Sequence, residues 1–438
     1  MPSTGFIALL VFAAILLPTG EARALTERDI LAAAHARIEQ YRKADATLRV
    51  ADRRGRPIGG ARVQVRQVRH AFLFGCNAFH VLSYKDPAQE AAYEREFAAL
   101  FNYATLPFYW NMYEPASGRT NQAQLEAMAR WCRQQGIAAK GHPLAWSNSW
   151  AIPSWAPAQV DAMRARLRAR ITDIVSHFTS LVDIWDVVNE ATRPGEGTNA
   201  ITQWIRRDGA AAVVGECLRS ARAANPKATL LYNDWNLEKV EPSYAALAAA
   251  LVDAKQPVDA FGIQAHMHSG EWPLERVWEI CDTYARFGKP LHFTEVTVVS
   301  GEHGWNRPAP WPTTPEGEAR QADYVEKLYT ELFSHPAVAA ITWWDFPDGA
   351  WMGAPGGLVR ADLTPKPAYS RLLNLVKSQW WTRADLVTDA GGEARFRGFL
   401  GRYRITVVSG GLKRVQEADL RPGANAITVT LRNSGTHD

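Results

Sequence analysis

The stretch VDIWDVVNEA, Val182–Ala191, has five apolar residues among its first seven and then delivers Asn189 and Glu190. A run that is apolar on both alternating faces suits a strand buried on both sides, as in a parallel sheet covered by helices. Such a strand has no structural need of a carboxylate at its end. In a closed parallel barrel, by contrast, the strand C-termini converge on one rim, and that rim carries polar, functional side chains. What Glu190 is for therefore depends on whether the chain closes such a barrel.

Seven more runs of this kind flank it: FLFGCN (72–77), FNYATLPFYW (101–110), IAAKGHPLAW (137–146), ATLLYND (228–234), DAFGIQAHMH (259–268), LHFTEVTVV (291–299) and AAITWWDF (339–346). Helical patterns lie between them, among them DPAQEAAYEREFAAL, NQAQLEAMARWCRQQG, PLERVWEICDTYARFG and PEGEARQADYVEKLYTELF. Several open on Asp, Asn or Pro, and some close on Gly, as helix termini prefer. Alternating strands and helices indicate parallel β/α units. Eight units over roughly 275 residues fit a (β/α)8 TIM barrel, for which about 250 is typical. An open doubly wound sheet would carry a glycine-rich phosphate loop after an early strand, and neither FGCN (74–77) nor PIGG (57–60) makes GxGxxG. The expected fold is α/β, with the barrel over 71–378.

The flanks read differently. Residues 25–70 begin with a helix, LTERDILAAAHARIEQYRKA, with Ile30, Ala34 and Ile38 on its apolar face. The runs ATLRVAD (46–52) and ARVQVRQV (61–68), joined by RRGRPIGG, predict an N-terminal β-hairpin extension. Residues 380–438 alternate polar and apolar between glycine-bearing turns and predict a small C-terminal all-β domain of about five strands, with which the hairpin could pair.

Composition narrows the function. The chain is 47% hydrophobic and 21% charged, with a net charge of +4 and both signs interspersed. No basic run or basic amphipathic helix is dense enough for nucleic acid. Seventeen Trp and thirteen Tyr exceed what a core needs and point to flat binding surfaces as well as packing. Residues 6–17, FIALLVFAAILL, followed by Ala22-Arg23-Ala24, predict a signal peptide over 1–24, although Met1–Gly5 hold no Lys or Arg. The mature chain is then expected to be secreted or periplasmic, off the membrane, and a monomer. Cys76, Cys132, Cys217 and Cys281 are scattered without CxxC spacing, so neither a zinc nor a redox site is supported, while one disulfide stays open.

The strand ends name the candidates: His142 and Trp146; Asn189 and Glu190; Asn233 with Trp235; Gln264, His266 and His268; Glu295; Trp344, Asp348 and Trp351. No serine elbow or metal-ligand spacing is among them. Two glutamates that each close an apolar run, Glu190 and Glu295, suit glycoside hydrolysis, where one carboxyl is held protonated and the other charged. Blander readings exist: NEAT could cap a helix with Glu190, His266 and His268 could be a core and a loop histidine rather than a metal pair, and the Trp residues could be packing.

WDVVNEA, FTEV, GIQAHM, YNDWN, KGHPLAW and ITWWDFPDGAW together resemble, in order and spacing, the glycoside hydrolase family 10 endo-β-1,4-xylanases over roughly residues 70–377. The resemblance implies a retaining double displacement on xylan without cofactor or metal. It implies Glu190 as acid/base, Glu295 as nucleophile, Asn189 on the sugar 2-hydroxyl, and Gln264 and His266 orienting Glu295. His142, Trp146, Trp344 and Trp351 would line the same subsite, with Asn233 beside them and Trp235 facing the leaving group. The chain departs from the family at TLPFYWNMYEP (105–115), which lacks the usual Glu-Asn pair and Lys, at Thr297 in place of an Asp, and at Ser147 in place of a His. The resemblance implies that the missing Glu-Asn pair and Lys would contact the sugar one unit beyond the cleaved one, on the non-reducing side, and that the Asp replaced by Thr297 would buttress His266. Hydrolysis of another β-glycan, exo action, or a non-catalytic carbohydrate-binding protein are the rival readings.

Overall fold

The computed structural model of the 438-residue chain describes residues 26–194, 198–239 and 241–432. The signal peptide expected over 1–24 lies outside the described residues. Among those described, no helix is long and apolar enough to cross a membrane.

Helix α1 (Glu27–Arg42) starts at a capping box in which Thr26 and Asp29 exchange hydrogen bonds, and it buries Ile30, Ala34 and Ile38. Strands β1 (Lys43–Ala51) and β2 (Arg62–His70) follow. The barrel runs from β3 (Leu73–Asn77) through β4 (Tyr103–Pro107), β5 (Ala138–His142), the short β6 (Ala145–Trp146), β7 (Ile184–Asn189), β8 (Thr229–Asp234), β9 (Ala260–Ile263), the short β10 (His266–Met267) and β11 (Leu291–Val298) to β12 (Val338–Trp343). Each of the eight expected apolar runs forms one barrel strand, two of them with a short continuation. Pairing is parallel throughout, and β9 to β11 and β12 to β3 close the ring. Every residue of β4 and of β11 is buried, which is why these strands read as continuous apolar runs.

Helices between the strands begin where short polar side chains satisfy free backbone N–H groups. Asp86 caps Pro87–Leu100, and Thr314 caps Pro315–Ser334, each with Pro at the first turn. All four cysteines are buried free thiols. Gly141, beside His142, is required by packing, because a Cβ there would lie 2.1 Å from the buried Trp185 ring. Gly141→Ala is expected to cost about 1–3 kcal/mol of stability through overpacking, read as a lowered guanidinium midpoint at unchanged slope.

The C-terminal segment forms five strands: β13 (Arg383–Val387), β14 (Glu393–Phe399), β15 (Gly401–Ser409), β16 (Leu412–Leu420) and β17 (Asn425–Thr430). The expected hairpin does not close. β1 joins a three-stranded sheet, β14-β1-β17, while β2 joins a four-stranded one, β13-β2-β15-β16. The reason is the shared core. Leu48 and Val50 of β1, and Val63 and Val65 of β2, bury into one cluster with Tyr403, Ile405 and Val429. Facing strands of a sandwich fill such a core from opposite sides, and the linker 53–60, with Gly55 and Gly60 at positive φ, crosses from sheet to sheet. Residues 43–70 and 383–430 thus build one seven-stranded unit. It rests on the N-terminal ends of the barrel strands, where Phe74, Phe333 and Trp380 stack and Arg42 donates to the carbonyls of His335 and Val338.

Candidate active site

The register of the barrel brings the two candidate carboxylates together through amides. β7 and β8 pair Asn189 with Asn233, and β8 and β9 pair Asn233 with Gly262. A Cβ on Gly262 would sit 2.4 Å from Asn233 Oδ1, so only glycine lets the Asn233 amide lie across the strand ends. Asn233 Nδ2 then donates to Glu295 Oε1 at 2.8 Å and to Asn189 Oδ1 at 2.9 Å, while Thr294 Oγ1 donates to Asn233 Oδ1. Asn189 Nδ2 donates in turn to Glu190 Oε1 at 3.0 Å.

Glu190 takes φ 59°, a left-handed conformation that costs a non-glycine residue on the order of 1 kcal/mol or more. The turn is held by the Glu190 N–H donating to Asn233 O and by the Ala191 and Thr192 N–H groups donating to Tyr232 Oη. Gln264 Nε2 reaches Glu190 Oε1 at 3.0 Å and Trp146 Nε1 reaches Oε2 at 2.8 Å. Glu190 is therefore no helix cap. Gln264, expected beside Glu295, instead serves Glu190 and Asn189, because its N–H2 points along the β7 side of the ring. Asn233 takes the place beside Glu295.

The environments push the two carboxyls apart. Burial, aided by the charges of Glu295 and Asp234, raises Glu190 to about 7 even though Gln264 and Trp146 donate to it. Burial also presses Glu295 upward, but the His266 hydrogen bond at 3.0 Å and the nearby His142, His266 and Lys140 overcome it, and Glu295 ends below its ordinary value. Under the floor of the site, Lys140 Nζ lies 2.6 Å from Asp186 Oδ2, and His142 Nδ1 lies 2.8 Å from the same oxygen. Burial works against the Asp186 charge, and Lys140 and His142 hold it low nonetheless. His142 Nε2 faces Glu295 Oε1 at 3.9 Å. Below about pH 7 the site holds Glu190 protonated and Glu295 ionised.

Ten of the eleven expected residues line one cleft of about 250 Å³: His142, Trp146, Asn189, Glu190, Trp235, Gln264, His266, Glu295, Trp344 and Trp351. Asn233 lies beneath it. His266 packs on Trp351 with ring centroids 4.4 Å apart, and its Nδ1 meets Thr297 Oγ1 at 3.3 Å, a neutral hydroxyl where the resemblance suggested a carboxylate. Asp348 does not line the cleft; it binds Lys366 Nζ and accepts from the Gly357 N–H. His268 is buried among Trp305, Trp311 and Trp351, and burial, with His266 close by, lowers it to about 3, so it is neutral.

Sequence reasoning passed over Tyr109, Asn148 and Trp305, which also line the cleft. Tyr109 stands edge-on to His142 and within ring contact of Trp146 and Trp150, in the segment that lacks the Glu-Asn pair and Lys. Trp305 is half exposed on the loop after β11, and no periodicity signals it. Lys140 and Asp186 had a signal, since a charge inside an otherwise apolar buried strand needs a partner.

Known proteins share this architecture. Over 70% of this chain the fold overlays 96% of xylanase 10B from Thermotoga maritima, with a TM-score of 0.60 and 24% identity. The chain is 27% identical to anti-sigma-I factor RsgI6 of Acetivibrio thermocellus over 91% of its own length and 49% of that protein's. It is 27% identical to endo-1,4-beta-xylanase 1 of Arabidopsis thaliana over 90% of its length and 40% of that protein's. Endo-1,4-beta-xylanase B of Thermotoga neapolitana is 26% identical over 62% of this chain and 78% of its own. The chain thus spans half or less of the first two of these relatives. The Glycosyl hydrolase family 10 model matches residues 68–375, the barrel and its site entire, and the chain belongs to that family.

Proposed function

We propose that the protein is a retaining endo-β-1,4-xylanase acting by double displacement. The observation that carries this reading is the pair of glutamates held on one amide bridge with opposite protonation, inside an aromatic cleft on a family 10 barrel. Glu295, ionised and steadied by Asn233 and His266, attacks C1 of the sugar at the cleavage point. Glu190 gives its proton to the glycosidic oxygen as that bond breaks, and the leaving sugar departs as an alcohol. The resulting ester neutralises Glu295, which removes one of the charges that raise Glu190. Glu190 then ionises more readily and takes a proton from the water that attacks C1, releasing Glu295. Two inversions at C1 give net retention.

Asn189 would hold the 2-hydroxyl from its place on the bridge, and His142, Trp146, Trp344 and Trp351 would bind the same sugar by hydrogen bonds and stacking. Trp235, 41% exposed at the cleft edge, would stack on the leaving-group side. None of these steps calls on a metal or cofactor. The leader-like residues 6–24 support export, and a polymer outside the cell suits it.

Tyr109 favours one second reading. It occupies the rim beside His142 with an aromatic ring, so the unit next to the cleavage point meets a different surface, as suits another β-glycan. Product release from xylan, mixed-linkage glucan and cellulose separates the two. Xylo-oligosaccharides of several lengths, retaining the β anomer on first appearance in NMR, are expected. Release from glucan alone would transfer the mechanism to that polymer, and first-formed α anomer would refute double displacement.

A further inference from the structure

The seven-stranded unit at the base of the barrel has no exposed aromatic platform. Tyr403 and Phe399 are buried in it, so stacking on sugar rings is not what its surface offers. Its surface offers charge. On the outer face of the four-stranded sheet, pairing across strands sets Arg383 opposite Arg66 and Arg66 opposite Arg404. Past the bulge in β2, Arg69 stands opposite Arg402. Further along the face, Arg62 pairs with Val408 and Val408 with Lys413. The inner face of these strands holds Val63, Val65, Ile405 and Val407, all buried, so the charged set projects to solvent.

Like charges directly opposite each other destabilise a sheet, and a sheet selected for folding alone avoids them. Here seven cations share a face with three carboxylates, Asp385, Glu417 and Asp419. That excess equals the net charge of the whole chain, +4. The three carboxylates are already engaged by Arg66, Arg402 and Arg404. Arg62, Arg383 and Lys413 have no acidic partner among the described residues, and Arg69 feels only the charge of Asp419, which Arg402 already engages. At one end of the face, Arg69, Arg402 and Arg421 rim a depression of about 310 Å³ in which Asp419 is the one carboxylate. Burial above all, and then the neighbouring Arg402, hold the Arg69 guanidinium below its ordinary value against the opposing charge of Asp419.

We propose that this sheet face is a docking surface for a polysaccharide bearing carboxylate groups, such as uronic acid branches. It lies on the unit at the N-terminal ends of the barrel strands, away from the rim that carries Glu190 and Glu295, so it holds polymer without being part of the catalytic cleft. Guanidinium forks on neighbouring strands match carboxylates spaced along an extended chain. The choice of a polysaccharide as partner rests on the functional reading above; the need for an anion rests on the face alone.

The test is affinity electrophoresis of the full chain, carrying Glu295→Ala to prevent cleavage. Gels contain glucuronoxylan, the same polymer after carboxyl reduction, polygalacturonate, or double-stranded DNA. Both carboxylated polymers are expected to retard the protein, with binding at least about tenfold weaker after carboxyl reduction and weakened by added salt. Arg62→Gln, Arg69→Gln, Arg383→Gln and Lys413→Gln combined are expected to abolish retardation by polygalacturonate and to reduce that by glucuronoxylan to the level of the carboxyl-reduced polymer, which the catalytic cleft still holds. With Glu295 intact, this variant should melt no lower than the wild type, because it relieves like-charge pairs, and should keep the hydrolysis rate on short oligosaccharides. Equal retardation by the reduced polymer or of the quadruple variant would overturn the proposal, as would tighter binding to DNA than to either uronate polymer. Retardation by polygalacturonate that depends on the four cations, in a protein that cleaves no xylan, would keep the docking face and discard the xylanase reading.

Discussion

Glu295→Ala is expected to lower kcat/KM on xylan by roughly 10⁴-fold or more, about 5.4 kcal/mol of transition-state stabilisation. The size follows from what is removed: the group that forms the covalent intermediate, for which water in the vacated space has neither the orientation nor the charge. The loss should be partly recovered by azide, which fits where the carboxylate was and attacks C1 directly. That product is a glycosyl azide of inverted, α configuration. A β-glycosyl azide from this variant would exchange the roles of the two glutamates. Removing the charge has a second consequence. Glu295 helps to raise Glu190, so in Glu295→Gln the remaining carboxyl should titrate below its wild-type value of about 7. A carbon-13 titration of Glu190 that stays put would refute the electrostatic coupling drawn here.

Glu190→Ala is expected to cost about 10²–10⁴-fold on xylan, the range of general acid catalysis. The loss should shrink on aryl glycosides whose leaving groups depart without a proton. There the first step proceeds and the glycosyl-enzyme accumulates, so azide should yield the β-glycosyl azide. The wild-type pH profile carries the same assignment. Glu190 works protonated, so activity falls as pH rises through about 7, and Glu295 works ionised, so the acid limb lies below the ordinary carboxylate range. Glu190→Ala should abolish the alkaline limb. Trp146→Phe removes a donor that favours the charged form, so Glu190 rises and the alkaline limb moves to higher pH. An alkaline limb that survives in Glu190→Ala would assign it to another group.

The barrel was legible because burial on both faces leaves a one-dimensional trace. VDIWDVVNE and seven similar runs could be neither exposed strands nor long helices, and their alternation with capped helices left few topologies. The glutamates were legible for a related reason, since a carboxylate closing a buried strand needs a function or a partner. The seven-stranded unit was legible only as alternation. Period-two patterning states that a strand has one buried face but not which strand lies beside it, so β1 and β2 read as a hairpin although a shared core places them in opposite sheets.

Three features were decided by tertiary structure alone. Gln264 serves Glu190, and Asn233 serves Glu295, because barrel register sets which amide reaches which carboxyl. Trp305 enters the cleft on a loop whose path no local rule dictates. The basic face assembles cations that lie two or more residues apart on separate strands, so no run in the sequence announces it. Local chemistry and burial period are written along the chain and determined the elements, their order and the two carboxylates. Proximity between residues distant in sequence exists only after folding, and it decided partners, protonation and the charged surface.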